Sequence, residues 1–198
     1  MFYPLPKLSE VIAKDDIRPQ MSHAYMTKKY IYASDAHILV RLNTKAHFSE
    51  ETIELIPSKG VFLDVYTLRA LQKNNIDLVG IVHLGFAHLI EIIYHSGEHV
   101  FYPWKTIDDV GQEYPKCDSI IHEVCDSDSR VKIDQLSFKA QLMLKLQRGL
   151  GDSDGINCHF NGPGKGIYVL PMDGTLVAEG RIGILMPIED PVGERAYH

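Results

Sequence analysis

The chain has 198 residues, 45% of them apolar and 23% charged, which is enough for a real hydrophobic core in one large domain or two small ones. No apolar run approaches the ~18 residues that suggest a membrane span. The opening Met1-Phe2-Tyr3-Pro4-Leu5-Pro6 lacks a basic region followed by an apolar one, so a signal peptide is not expected and a cytoplasmic location is. Cys117, Cys125 and Cys158 are odd in number, widely spaced and without a Cys-x-x-Cys, which argues against a disulfide framework or a zinc–thiolate site. The net charge of −6, taken as a sum, argues against nucleic acid.

Three segments repeat one order of elements. In the first, residues 2–5 are extended. Residues 7–14 follow with Leu8, Val11 and Ile12 at helical spacing, and Pro19 closes the region. Residues 22–26, 29–33 and 37–42, rich in Tyr, Ile, Val and Leu, read as strands, with turns at Lys28-Lys29 and Ser34-Asp35. The second segment opens with a strand over 52–56. A helix follows over 63–74, with Val65, Leu68, Ala70 and Leu71 apolar and Asn74-Asn75 as its stop. Strands are then expected over 77–84, 88–94 and 99–102, split by Gly85 and Ser96-Gly97.

The third segment begins after the polar, acidic Cys125-Asp126-Ser127-Asp128-Ser129, the best linker in the chain. Residues 130–133 read as a strand. Residues 137–150 read as a helix, with Phe138, Leu142, Leu146 and Leu150 on one face and Gly149 and Gly151 at its end. Residues 155–160, 167–171 and 181–186 read as strands, separated by Asn161-Gly162-Pro163-Gly164 and Asp173-Gly174. The expected fold is therefore α+β, three β-α-β-β-β units with helices on one face of antiparallel sheets. Residues 1–125 would hold two units in one domain. Residues 126–198 would hold the third, a half domain with a short polar end after Pro191.

The three helical segments are biased in charge. Lys7 and Lys14 face only Glu10, Arg69 and Lys73 face no acid, and Lys139, Lys145 and Arg148 face none either. Together these segments carry +6, which leaves −12 on the rest of the chain. Three such helices side by side would present a positive face able to meet phosphates without regard to sequence.

Several stretches resemble the bacterial β sliding clamp, the β subunit of DNA polymerase III. Lys14-Asp15-Asp16-Ile17-Arg18-Pro19 looks like that family's aspartate–apolar–arginine turn. Tyr30-Ile31-Tyr32-Ala33-Ser34-Asp35-Ala36-His37-Ile38-Leu39 looks like the strand that ends in Ala-Thr-Asp-Gly-His-Arg-Leu. Glu113-Tyr114-Pro115-Lys116-Cys117 stands where the family has Phe-Pro-Asp-Tyr, and Ile184-Leu185-Met186-Pro187-Ile188 resembles its Val-Met-Pro-Met ending. Ser34, Ala36 and Ile38 depart from the family's Thr, Gly and Arg, and Lys116 and Cys117 from its Asp and Tyr. The chain is also short: it resembles the middle domain and half of the last one.

What the resemblance implies is a protein without catalytic residues, cofactor or metal. It would act as a processivity or tethering factor. Double-stranded DNA would be held non-specifically through Lys7, Lys14, Arg69, Lys73, Lys139, Lys145 and Arg148. DNA polymerase or other replication and repair proteins would dock short peptides in an apolar pocket formed by Met21, Ser34, Ala36, His37, Ile38, Leu39, His122, Leu185, Met186, Pro187 and Ile188. An odd number of units leaves one unpaired, so a homo-oligomer is expected, with the odd units of two chains completing a domain.

Two other readings are weighed against it. One is a clamp-fold interaction module that does not encircle DNA. The other is a metal enzyme built on His83, His88, His95 and His99, with Asp35-x-His37 as a further ligand pair. No His-Glu-x-x-His, Gly-x-Ser-x-Gly or phosphate-loop motif supports the enzyme, and Gly162-Pro163-Gly164-Lys165-Gly166 reads as a hairpin turn.

Overall fold

A computed structural model describes residues 2–14, 17–84, 87–125, 138–161 and 165–186. The chain opens extended. The Tyr3 amide donates to the His47 carbonyl at 2.8 Å and the Leu5 amide to that of Leu71 at 2.9 Å. A single 3-10 turn, Leu8–Glu10, replaces the helix expected over 7–14. Strands β1 (Ala24–Met26), β2 (Tyr30–Ser34) and β3 (Ile38–Asn43) follow as an antiparallel meander.

The strand expected over 52–56 is instead the end of helix α1 (Glu50–Glu54). Ser49 caps it by accepting from the Thr52 amide, and Glu50 and Glu51 sit in the first turn where the helix dipole favours acids. Those local signals outweigh the β-branched Thr52 and Ile53. The strand of this region lies later, as β4 (Val61–Leu63), which pairs with β1. Asp64 then caps helix α2 (Val65–Ala70). Strands β5 (Ile76–Leu84), β6 (Ala87–Tyr94) and β7 (His99–Pro103) form a separate three-stranded sheet.

Two helices follow that the strand-rich reading did not contain. A Thr106–Asp109 capping box starts α3 (Ile107–Val110), and α4 spans Cys117–Cys125. The strand expected over 130–133 lies outside the described residues. Helix α5 (Ala140–Leu150) agrees with expectation apart from its first turn. Strands β8 (Ile156–His159), β9 (Ile167–Pro171) and β10 (Ile182–Leu185) are the last described strands. Between β9 and β10, Asp173 is a helix cap rather than a turn residue and opens α6 (Gly174–Ala178).

The large sheet runs β4-β1-β2-β3-β10-β9-β8. Strands from both sides of residue 125 therefore share one sheet, joined where β10 pairs antiparallel with β3, from Ile182 opposite Arg41 to Leu185 opposite Ile38. Side chains alternate across it. Ile31, Ala33, Ile38, Val40, Leu42 and Leu185 enter the main core. Tyr32, Leu39, Phe62 and Ile184 point to the opposite face, where α4 covers them with Cys117, Ile121 and Val124. Helices thus lie on both faces rather than one.

On the main-core face, α5 packs against β3, β10 and the Leu8–Glu10 turn, which in turn touches α2. The approach is close. A Cβ on Gly149 would stand 2.6 Å from a Val11 methyl and 3.1 Å from one of Val40. The three helical segments therefore lie next to one another in the order α2, Leu8–Glu10, α5.

His47 anchors the extended N-terminal segment. It is buried, and its Nδ1 lies 3.1 Å from the Tyr3 carbonyl oxygen. Burial, then the nearby Arg181, lowers its pKa to about 4. The neutral ring is therefore favoured in the fold. Its contribution is complete above the unfolded pKa of about 6.5 and is lost as pH falls from there towards 4. Within that window, one extra proton on the unfolded chain lowers stability by about 1.4 kcal/mol per pH unit. Denaturant unfolding across pH 4–6.5 is expected to give a shallower slope for His47→Gln than for the native chain.

Candidate functional site

A groove of about 430 Å³ opens on the α4 side of the large sheet. One wall comes from the β2–β3 connection and the start of β3: Ser34, Ala36, Ile38 and Leu39. Another comes from Pro115 and the α4 residues Cys117, Ile120, Glu123 and Val124. The end of β10 supplies Ile184 and Met186, the start of β9 supplies Lys165 and Gly166, and Met21 reaches in from the Pro19–Ser22 turn.

The β2–β3 connection is a built turn. The Asp35 Oδ1 accepts from the amides of His37 at 3.1 Å and Ile38 at 3.0 Å. Its Oδ2 accepts from Lys145 Nζ of α5 at 2.8 Å. The Ser34 hydroxyl donates to the Ile38 carbonyl at 2.8 Å and accepts from the Ala36 amide at 3.1 Å. Ala36 sits in the left-handed region at φ 73°. The far end of the groove is tied down by the Met186 amide, which donates to the His37 carbonyl at 2.8 Å.

Helix α4 is held at both ends. Arg41 Nη1 meets the Asp118 carboxylate at 3.2 Å, and the Arg41 guanidinium lies 4.3 Å above the Tyr30 ring. The Asn161 side-chain amide donates to the Val124 carbonyl. Gly166 keeps the floor open. A Cβ there would come within 2.9 Å of Val124 and 3.4 Å of both Ile184 and the Met186 sulfur.

Of the eleven residues expected at a pocket, Met21, Ser34, Ala36, Ile38, Leu39 and Met186 line this groove. His37 contributes its carbonyl while its side chain is exposed. Leu185 is buried in the main core on the other face, because strand alternation turns it away from Ile184. His122 is an exposed residue of α4 outside the lining. Pro187 and Ile188 lie outside the described residues. Sequence reasoning missed the α4 wall, although Cys117, Ile121 and Val124 stand at helical spacing.

The groove lining is mainly apolar. Burial, then Asp118, pushes the Cys117 thiol up to about 12, which keeps it protonated and a poor nucleophile. The Ser34 hydroxyl is spent on its turn. Among the described residues, no group of three His, Cys, Asp or Glu side chains converges on a metal position. Of the histidines weighed for an enzyme, His95 pairs with Asp77 at 3.2 Å and His99 with Glu91 at 2.8 Å. Asp35 is committed to its turn.

The seven expected DNA-contacting bases fall on the α2, Leu8–Glu10 and α5 row or beside it. Lys145 pairs with the largely buried Asp35, Arg148 Nη1 meets Glu10 at 2.8 Å, and Lys73 lies 5.0 Å over the Tyr94 ring. Lys7, Lys14, Arg69 and Lys139 are exposed, with no ion pair among the described residues.

Two antiparallel sheets, a row of helical segments and a groove at a strand-end turn define a clamp-like architecture. The structure is similar to the DNA polymerase sliding clamp from Bacillus subtilis, with a TM-score of 0.54 and 12% sequence identity over 96% of this chain and 64% of that one. The chain thus spans less than two thirds of that protein's length, and at this identity the likeness shows the fold alone. No protein-family model matches the chain, and no curated protein matches it in sequence. Among the described residues no helix is long and apolar enough to cross a membrane.

Ala36 stands where the left-handed backbone suits glycine. The strain of a Cβ there, about 1–2 kcal/mol, exceeds the entropy that glycine adds to the unfolded chain. Ala36→Gly is expected to raise stability by up to about 1 kcal/mol, read as a higher denaturant midpoint at unchanged slope.

Proposed function

We propose that this chain is a non-enzymatic, clamp-like tether. Its groove docks short apolar peptides of replication or repair proteins, and its helical row faces duplex DNA without reading sequence. The observation that carries the proposal is the groove itself. It is concave, mainly apolar and flanked by Met21 and Met186, whose flexible thioethers suit adaptable peptide recognition. The likeness to a DNA polymerase sliding clamp supports the same reading. Residues 1–125 would form one clamp-like domain and residues 126–198 a half domain joined to it through the β3–β10 pairing. Among the described residues β8 ends the large sheet with one neighbour, and Phe160 and Met172 beside it are exposed. Two chains would meet along that edge.

A second reading, an interaction module that does not encircle DNA, is favoured by the internal pairing of Lys145 and Arg148. That pairing reduces the charge available to phosphates.

One set of variants separates the two. Ile120→Asp and Met186→Asp place a carboxylate on exposed groove-lip residues. They are expected to abolish binding of a labelled, glutamine-containing apolar peptide, measured by fluorescence anisotropy, and to leave DNA binding intact. Alanine at Lys7, Lys14, Arg69 and Lys139 is expected to abolish a salt-dependent gel shift and spare the peptide. A gel shift that survives the alanines removes DNA from the reading, and peptide binding that survives both aspartates removes the groove. Sedimentation velocity at micromolar concentration is expected to show a self-associated species; a strict monomer would count against edge-to-edge assembly.

A further inference from the structure

We propose that His83 and His88 form a two-imidazole chelate for a single late first-row divalent cation: Cu(II), Ni(II) or Zn(II). The two residues stand directly opposite one another in the β5–β6 register, so their side chains share one face of the small sheet. Their Nδ1 atoms are 3.4 Å apart. That is near the outer limit for a hydrogen bond between the two rings. It matches the span of two imidazole nitrogens that each bind a tetrahedral ion at about 2.0–2.1 Å, roughly 3.3–3.4 Å apart.

Trp104 fixes both rings. It is buried, and its backbone amide donates to the His88 carbonyl at 3.1 Å. The His88 ring stacks on the indole at 4.5 Å between centroids and 27° between planes. The His83 ring meets it edge-on at 5.5 Å and 90°. The two nitrogens are thus held ready for a cation instead of being gathered by it. The site is also open, because His83 is exposed.

Since no third protein ligand converges among the described residues, solvent completes the coordination. The spacing as it stands suits tetrahedral Zn(II). Cu(II), whose cis nitrogens in a square plane lie about 2.8–2.9 Å apart, needs the two rings to close slightly and still binds most tightly by the intrinsic order for nitrogen ligands. The separate pairing of His95 and His99 with carboxylates distinguishes them from this pair.

Trp104 is the single tryptophan of the chain and reports on the site directly. Titration of the full chain with Cu(II) is expected to quench its fluorescence with an endpoint at one equivalent, and Zn(II) is expected to compete and restore it. His83→Ala and His88→Asn should each lose the one-equivalent endpoint, with the sheet verified by far-ultraviolet circular dichroism. The double variant His95→Ala/His99→Ala should keep it. Electron paramagnetic resonance of the one-equivalent Cu(II) complex should show two coordinating nitrogens. Absence of the one-equivalent endpoint in the native chain, its survival in either single variant, or its loss in the His95/His99 variant overturns the assignment.

Discussion

The antiparallel pairing of β3 with β10 is the constraint on which the rest depends. It brings residues near position 40 against residues near position 184 and makes one sheet of segments far apart in sequence. It also decides what each face receives: Leu185 goes to the main core and Ile184 to the groove. The same ladder carries on into the hydrogen bond from Met186 to His37, which sets the groove's far lip against the Ala36 turn. Helix α5 lies across this junction, and it can come so close because Gly149 and Gly183 present no side chain to Val11, Val40 and Leu146. Apolar groups at such short range exclude water and pack densely, so a larger residue at Gly149 would force the helix off the strands.

Charge serves construction here. Lys145 reaches from α5 to Asp35 and joins the helix to the turn that walls the groove. Arg148 does the same for the Leu8–Glu10 turn through Glu10. Both interactions are partly shielded from solvent, where one partner alone would be costly to bury. A count of bases along a helix therefore overstates the field such a helix projects. Lys7, Lys14, Arg69 and Lys139 remain exposed at the surface.

Much of this architecture was legible before any coordinates. β2, β3, β9 and β10 are short runs rich in Tyr, Ile, Val and Leu, and the Asp35 turn announces itself through a residue that bonds its own backbone. The failures have a common cause. Residues 52–56, with Thr, Ile and Ile, look like a strand, yet the cap at Ser49 made them the end of a short helix. Asp173 looked like a turn and proved to be a cap. Short helices are set by their termini, and apolar periodicity over one turn carries little information. Half of the groove followed from the strand-end turn and the Met186 ending. The half built by α4 did not, because the helical spacing of Cys117, Ile121 and Val124 went unread.

The β3–β10 junction also sets an order of events for a newly made chain. Its partners lie roughly 140 residues apart, so β3 emerges during synthesis long before the strand that will cover it. Until β10 arrives, one edge of the meander and the apolar side chains of Val40 and Leu42 are without the junction and without α5. The chain must pass through an interval with an open strand edge, and completion of the fold is tied to its last described strand. Truncation near the C-terminus would therefore strip the N-terminal half of its neighbour as well as removing the groove.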